Sequence, residues 1–138
     1  MSILKNENGS WNTSEKLSRD FILMEFLFNK WSPDEMIGKH FTQEIFDNLK
    51  ELVIVKLQPL RDRLMSPIHI NCGFRPVEWE LIRGRSGTSQ HCLGKAADIR
   101  TTNMVEAYRL VNTMFKTGGR SKYATFIHLD NRDGYAIW

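Results

Sequence analysis

The chain has 138 residues, 41% of them hydrophobic and 25% charged, with a formal net charge of +3. This length holds one domain with a real core, in a composition ordinary for globular proteins. The basic residues are scattered and match no DNA- or RNA-reading pattern, which excludes nucleic acid as the expected partner, while the mild positive charge suits an anionic polymer such as cell wall.

No apolar run approaches the roughly 20 residues that span a bilayer, so no membrane insertion is expected. Met1 through Asp20 carries no apolar stretch of the signal-peptide kind, which places the newly made chain in the cytoplasm. Cys72 and Cys92 are too few for a disulfide framework. Both read as small buried residues or free thiols, with Cys92, beside His91, as a remote alternative ligand.

In chain order, residues 1–16 are polar and read as a flexible N-terminal arm ahead of a single domain over 17–138. Phe21, Leu23, Phe26 and Phe28 form a short apolar segment. Ser32-Pro33-Asp34-Glu35 has the order of a capping box that starts a helix. The strongest helix signal runs from Thr42 to Leu64, where Ile45, Leu49, Leu52, Val53 and Leu60 recur at helical spacing. Pro59 lies inside it and should kink or split it. After Pro67 the period becomes two: Ile68, Ile70 and Cys72 alternate with His69 and Asn71, a strand with one buried face, closed by Gly73-Phe74-Arg75-Pro76. Residues 77–90, with Gly84, Ser86 and Gly87 among arginines, read as a mobile functional loop. A second strand spans Ala96 to Arg100. Asn103 to Phe115 is a helix with Met104, Ala107, Tyr108, Val111 and Phe115 on one side, stopped at Gly118-Gly119. Thr125 to Leu129 is a third strand and Gly134 to Trp138 a fourth. The expected fold is α+β, a small antiparallel sheet flanked by helices.

The chemistry concentrates in Ser89-Gln90-His91-Cys92-Leu93-Gly94-Lys95-Ala96-Ala97-Asp98 and in Phe126-Ile127-His128-Leu129-Asp130. His91, Asp98 and His128 make a set of two histidines and one carboxylate. Asp98 and His128 sit in predicted strands, and neighbouring strands lie roughly 4.8 Å apart, so their side chains can converge on one ion. Gly94 lets the chain turn tightly between His91 and Asp98. Such a set suits catalytic zinc, which takes three protein ligands and leaves a position for water; manganese or iron can use the same donors. Spacing alone also leaves open that the three residues are unrelated.

The pattern Ser89-x-His91-x-x-Gly94-x-Ala96-x-Asp98 with a later His128 resembles the zinc D-Ala-D-Ala carboxypeptidase family, which shares its fold with lysostaphin-type enzymes and the hedgehog signalling domain. Leu17 to Phe26, Leu57 to Asp62 and Pro67 to Arg75 resemble the opening segment, helix and glycine-aromatic-arginine turn of its small phage and prophage members. The resemblance covers residues 17–132. It implies a zinc peptidase of peptidoglycan stem peptides, either a D-Ala-D-Ala carboxypeptidase or an L-Ala-D-Glu type endopeptidase, with metal-activated water as nucleophile. With no signal peptide expected, such an enzyme is expected to reach the wall through a holin or on a virion. His91, Asp98 and His128 match its zinc ligands. Arg75 matches an arginine near the substrate, able to grip a carboxylate or hold the oxyanion, or else pairs with Glu78 or Glu80. Ser89 either touches substrate or braces the His91 loop, and Trp79 is placed to line the cleft.

One position departs from the family. Many relatives carry an acid three residues before the last ligand, or a histidine two before it; here these are Thr125 and Phe126. Asp130 is the nearest acid and points to the same face as His128. It is a candidate general base, a partner behind the ligand, or a surface residue, with Asp133 a weaker candidate base. The alternative to an enzyme is a non-catalytic zinc-containing module of the same fold that binds peptidoglycan or peptide. His40 and His69 read as surface or satisfied histidines, Trp11 and Trp31 as core or groove walls, and Trp138 as a cap on the sheet.

Overall fold

The computed structural model describes residues 12–27 and 40–138. Most of the expected arm, the capping box at Ser32, and Trp11 and Trp31 lie outside these residues.

Helix α1 (Gln43–Leu52) starts where the sequence places it, with Thr42 Oγ1 accepting the Ile45 N–H at 3.2 Å. The helical path then continues through a π-helical segment (Val53–Leu57) into α2 (Gln58–Leu64). Gln58 donates its N–H to Val53, five residues back. Pro59 has no N–H to offer Val55, so the expected kink takes the form of a widened turn just ahead of the proline. Leu49, Leu52, Val53, Leu57 and Leu60 are fully buried along this unit.

Two expectations for the middle of the chain need correction. The first half of the 77–90 loop is helix α3 (Val77–Ile82), begun after Pro76 and carrying Glu78 and Glu80 in its first turn. Helix α4 (Met104–Met114) is capped by Asn103, whose side chain accepts the Glu106 N–H at 3.0 Å. Gly118-Gly119, expected only to stop that helix, opens a strand.

Strands β1 (Lys16–Ser18) and β2 (Phe21–Ile22) pair as a small separate hairpin. The main sheet contains β3 (His69–Cys72), β4 (Ala96–Arg100), β5 (Gly118–Lys122), β6 (Ile127–Asp130) and β7 (Tyr135–Ile137) in the order β3-β4-β6-β5-β7. The α+β class holds, with one refinement: β5 and β7 pair in parallel, the rest antiparallel. Strand β5 reads Gly-Gly-Arg-Ser-Lys and has no apolar alternation. It is a strand because β6 and β7 satisfy its backbone from both sides.

Register sorts the side chains of the sheet. Ile99 pairs with Ile70 and Ile127, and Ala97 with Leu129; these residues face the core. Asp98 pairs with His128 and Ala96 with Asp130, on the opposite face. A bulge in β3 sets two residues, Asn71 and Cys72, against Asp98. The alternation Ile68-Ile70-Cys72 is therefore broken at its last member: Cys72 turns away from the core to the face of Asp98.

Lys56 lies in the apolar stripe of the π segment and is 4% exposed. Its ammonium donates to the carbonyl oxygens of Asp130 at 2.6 Å and Thr117 at 2.9 Å. Burial, with Arg120 nearby, lowers its pKa to about 8 against the pull of Asp130. Gly118, at φ +92°, lies against this junction: a Cβ there would collide with Lys56 Nζ and the Asp130 carbonyl oxygen.

Gly118→Ala is therefore expected to cost more than about 3 kcal/mol of stability in urea unfolding; a loss under about 1 kcal/mol would contradict the packing described. The Lys56 pKa, lower folded than unfolded, means that the unfolded chain binds the extra proton between about 8 and the ordinary lysine value of 10.5. The stability of the wild type relative to Lys56→Met should thus rise with pH across that window. A flat or falling difference would show that the ammonium is not desolvated.

Candidate metal centre

Three segments bring His91, Asp98 and His128 together on the open face of the sheet. A 3₁₀ turn (Gln90–Leu93) carries His91, β4 carries Asp98, and β6 carries His128 directly across from Asp98. Ser89 begins the 3₁₀ turn, its Oγ accepting the His91 N–H at 3.1 Å. Gly94 ends it at φ +74°, packed so closely on Ile45 that a side chain would strike that residue's carbonyl oxygen. His91 Nε2 lies 3.2 Å, and His128 Nδ1 3.0 Å, from the same oxygen, Asp98 Oδ1. The two rings meet edge to face with centroids 5.1 Å apart.

The far nitrogen of each ring is already committed. His91 Nδ1 is 2.7 Å from the carbonyl oxygen of Gly73, which can only accept, so this nitrogen carries the hydrogen. His128 Nε2 is 2.8 Å from Asp130 Oδ2. That carboxylate also accepts from the Gly119 N–H at 2.8 Å, the Arg132 N–H at 3.0 Å and the Arg132 guanidinium at 2.7 Å, so it too acts as acceptor. In the neutral rings, His91 Nε2 and His128 Nδ1 then hold bare lone pairs, and both face a carboxylate oxygen. Each bare nitrogen, 3.0–3.2 Å from the same negatively charged oxygen, is repelled by it unless positive charge lies between them.

Protons or a cation can supply that charge. Burial alone would keep His91 neutral, but the hydrogen bonds to Asp98 and Cys72 raise its pKa to about 10. Burial likewise opposes the charging of His128, yet Asp130 and Asp98 raise its pKa. Against its own burial, Asp98 is held well below the usual carboxylate range by His128 and His91. A divalent cation answers the same demand with one ion, and two imidazole nitrogens with a carboxylate oxygen are a donor set that zinc accepts. The residues fit the ion: each histidine aims its free nitrogen inward and ties its other nitrogen to an acceptor, as metal-binding histidines do.

The remaining sequence candidates fall around this cluster. Asp130 is 0% exposed and lies behind His128, its oxygens taken by the five donors of His128, Gly119 and Arg132. Burial would raise its pKa, but His128 and Arg132 hold it far below the usual range. Thr125 is exposed, and Phe126 stacks on Tyr123 with centroids 4.5 Å apart. Among the described residues, Asp98 and Asp130 are the carboxylates paired with the two site histidines. Asp133 is exposed and His40 pairs with Glu78 at 2.9 Å. Trp138 packs its ring on His128 at 5.0 Å.

Arg75 pairs with Glu80 rather than Glu78: its Nε is 3.3 Å from Glu80 Oε2, which also meets Arg85 at 3.2 Å. Cys92 points away from the cluster, its sulfur 3.3 Å from Glu80 Oε1. Burial and Glu80 push that thiol up to about 12, so the remote ligand role expected of it is corrected. Cys72, read as a bland thiol, is instead the cysteine near the cluster. Trp79 and Arg75 line a groove of about 420 Å³ that runs beside β3. His91, Asp98 and His128 do not line it; Cys72 and Arg75 connect the two.

Sequence reasoning missed Cys72, Arg132 and Lys56. The bulge concealed the first. Arg132 had a signal, since it follows Asp130 by two positions at a strand end. Lys56 had one too, as the single charge in an apolar helical stripe.

No curated protein matches the chain at a significant level. The family model described as Peptidase M15 matches residues 29–130, which contain all three convergent donors. With that match over most of its length, the chain belongs to peptidase family M15, the zinc D-Ala-D-Ala carboxypeptidase family.

Proposed function

We propose that the protein is a zinc-dependent peptidase that hydrolyses peptide bonds in peptidoglycan stem peptides. The observation that carries this reading is the pair of inward-facing lone-pair nitrogens on Asp98 Oδ1, in a chain of the M15 family. His91, Asp98 and His128 would hold the ion. When bound, zinc supplies a Lewis acid that polarises a carbonyl and lowers the pKa of a water. Around it, Ser89 braces the His91 turn and Asp130 holds the His128 ring in one tautomer. Arg75 stands at the mouth of the groove with its Cζ 5.5 Å from the Trp79 ring, a place from which its guanidinium can grip a substrate carboxylate or an oxyanion. The groove beside β3 suits a short extended peptide, and Trp79 forms one wall.

We assign Asp130 as a positioning residue. A general base needs a free lone pair toward the substrate and a pKa near the working pH, whereas this carboxylate is enclosed by donors and strongly acidic. That assignment gives weight to a second reading, a metal-containing module that binds wall peptides without cutting them. Thr125 and Phe126, in the place of the usual base, favour it.

Two outcomes are expected. Zinc-loaded protein should release peptides from purified peptidoglycan, detected by mass spectrometry, with release lost on chelation and in His91→Ala. Intact peptidoglycan, with zinc held and wall still bound, would establish the binding module. Asp130→Asn should weaken zinc binding about 10- to 100-fold in a competition titration, the usual cost of losing a carboxylate behind a ligand histidine. Unchanged affinity would remove Asp130 from the positioning role.

A further inference from the structure

The β3 bulge does more than break an alternation. It sets Cys72 opposite Asp98 in register, on the face that carries the histidines. Donor atoms of Cys72, His91 and Asp98 all lie within 4.8 Å of one another. The sulfur is 3.8 Å from the Arg75 guanidinium and 3.9 Å from His91 Nδ1, the nitrogen that faces the Gly73 carbonyl, so it lies beside the His91 ring. Without the extra residue in β3, this side chain would join Ile70 in the core.

We propose that the Cys72 thiolate is a fourth protein donor to the ion held by His91, Asp98 and His128. This rests on the metal reading above and goes beyond it. His128 is not in the group of Cys72, His91 and Asp98 donors, and would reach the same ion from beside Asp98, whose Oδ1 lies 3.0 Å from its Nδ1. The thiol proton leaves to solvent as the bond forms. The donor set changes from two nitrogens and one oxygen to one that includes a soft sulfur, which favours zinc over the harder manganese. With Cys72 the ion would have four protein donors, one more than the three that usually hold a catalytic zinc.

The test uses the full chain loaded with cobalt(II) in place of zinc, comparing wild type, Cys72→Ser and Cys92→Ser by absorption spectroscopy. Visible ligand-field bands report tetrahedral cobalt whatever the donors, and a near-ultraviolet charge-transfer band reports a sulfur–cobalt bond. Wild type and Cys92→Ser should show both. Cys72→Ser should keep the visible bands, lose the near-ultraviolet band and bind cobalt more than about tenfold less tightly. Visible bands without a sulfur band in wild type, or a sulfur band that survives in Cys72→Ser, would overturn the proposal and leave the three-donor site standing. Absence of both bands from every protein would overturn the metal reading as well. Should Cys72→Ser fail to fold, alkylation of the wild type decides: cobalt should protect Cys72 from iodoacetamide, and equal labelling with and without metal would refute the bond.

Discussion

Two imidazoles share one carboxylate oxygen, and each has its outer nitrogen tied to a fixed acceptor. The Gly73 carbonyl holds His91 by Nδ1 and the Asp130 carboxylate holds His128 by Nε2. The inner nitrogens are therefore different atoms on the two rings, yet both arrive at Asp98 Oδ1. Such a cluster is stable only with positive charge in its middle. In this protein the demand for positive charge, which protons or a cation can meet, follows from the hydrogen bonds that fix the outer nitrogens, before any likeness to other peptidases is considered.

The scaffold is arranged around keeping those outer acceptors still. Asp130 is clamped at both ends: Arg132 and the Gly119 N–H take its carboxylate, and the buried Lys56 ammonium takes its carbonyl oxygen. Lys56 reaches it from the π segment, and the bare Cα of Gly118 leaves room for that contact. On the other side, Gly73 lies so close to the Phe26 backbone that a Cβ there would strike it, which fixes the carbonyl that His91 uses. Helix irregularity, glycine placement and a buried charge are thus parts of one support for two rings.

Much of this was legible in the sequence. Helical spacing found α1 and α4, because apolar stripes are local signals, while the Asn103 cap of α4 came from the structure. The convergence of His91, Asp98 and His128 followed from placing the last two on paired strands. Strand β5 was not legible, since Gly-Gly-Arg-Ser-Lys becomes a strand only through its neighbours. Helix α3 was hidden by the glycines and arginines that follow it. A bulge shifts the facing of a side chain by one residue without a signal in composition, and so Cys72 read as core. Asp130 was correctly aimed by alternation, but its neighbours decide its chemistry, and Arg132 and Gly119 are tertiary facts.

The most direct test of the account is the tautomeric state of the two histidines in the zinc-loaded protein, read from long-range nitrogen–proton NMR correlations of the imidazole rings. The geometry predicts opposite tautomers: His91 protonated at Nδ1 with Nε2 on the metal, and His128 protonated at Nε2 with Nδ1 on the metal. The same tautomer on both rings, or imidazolium signals that persist with zinc present, would contradict it.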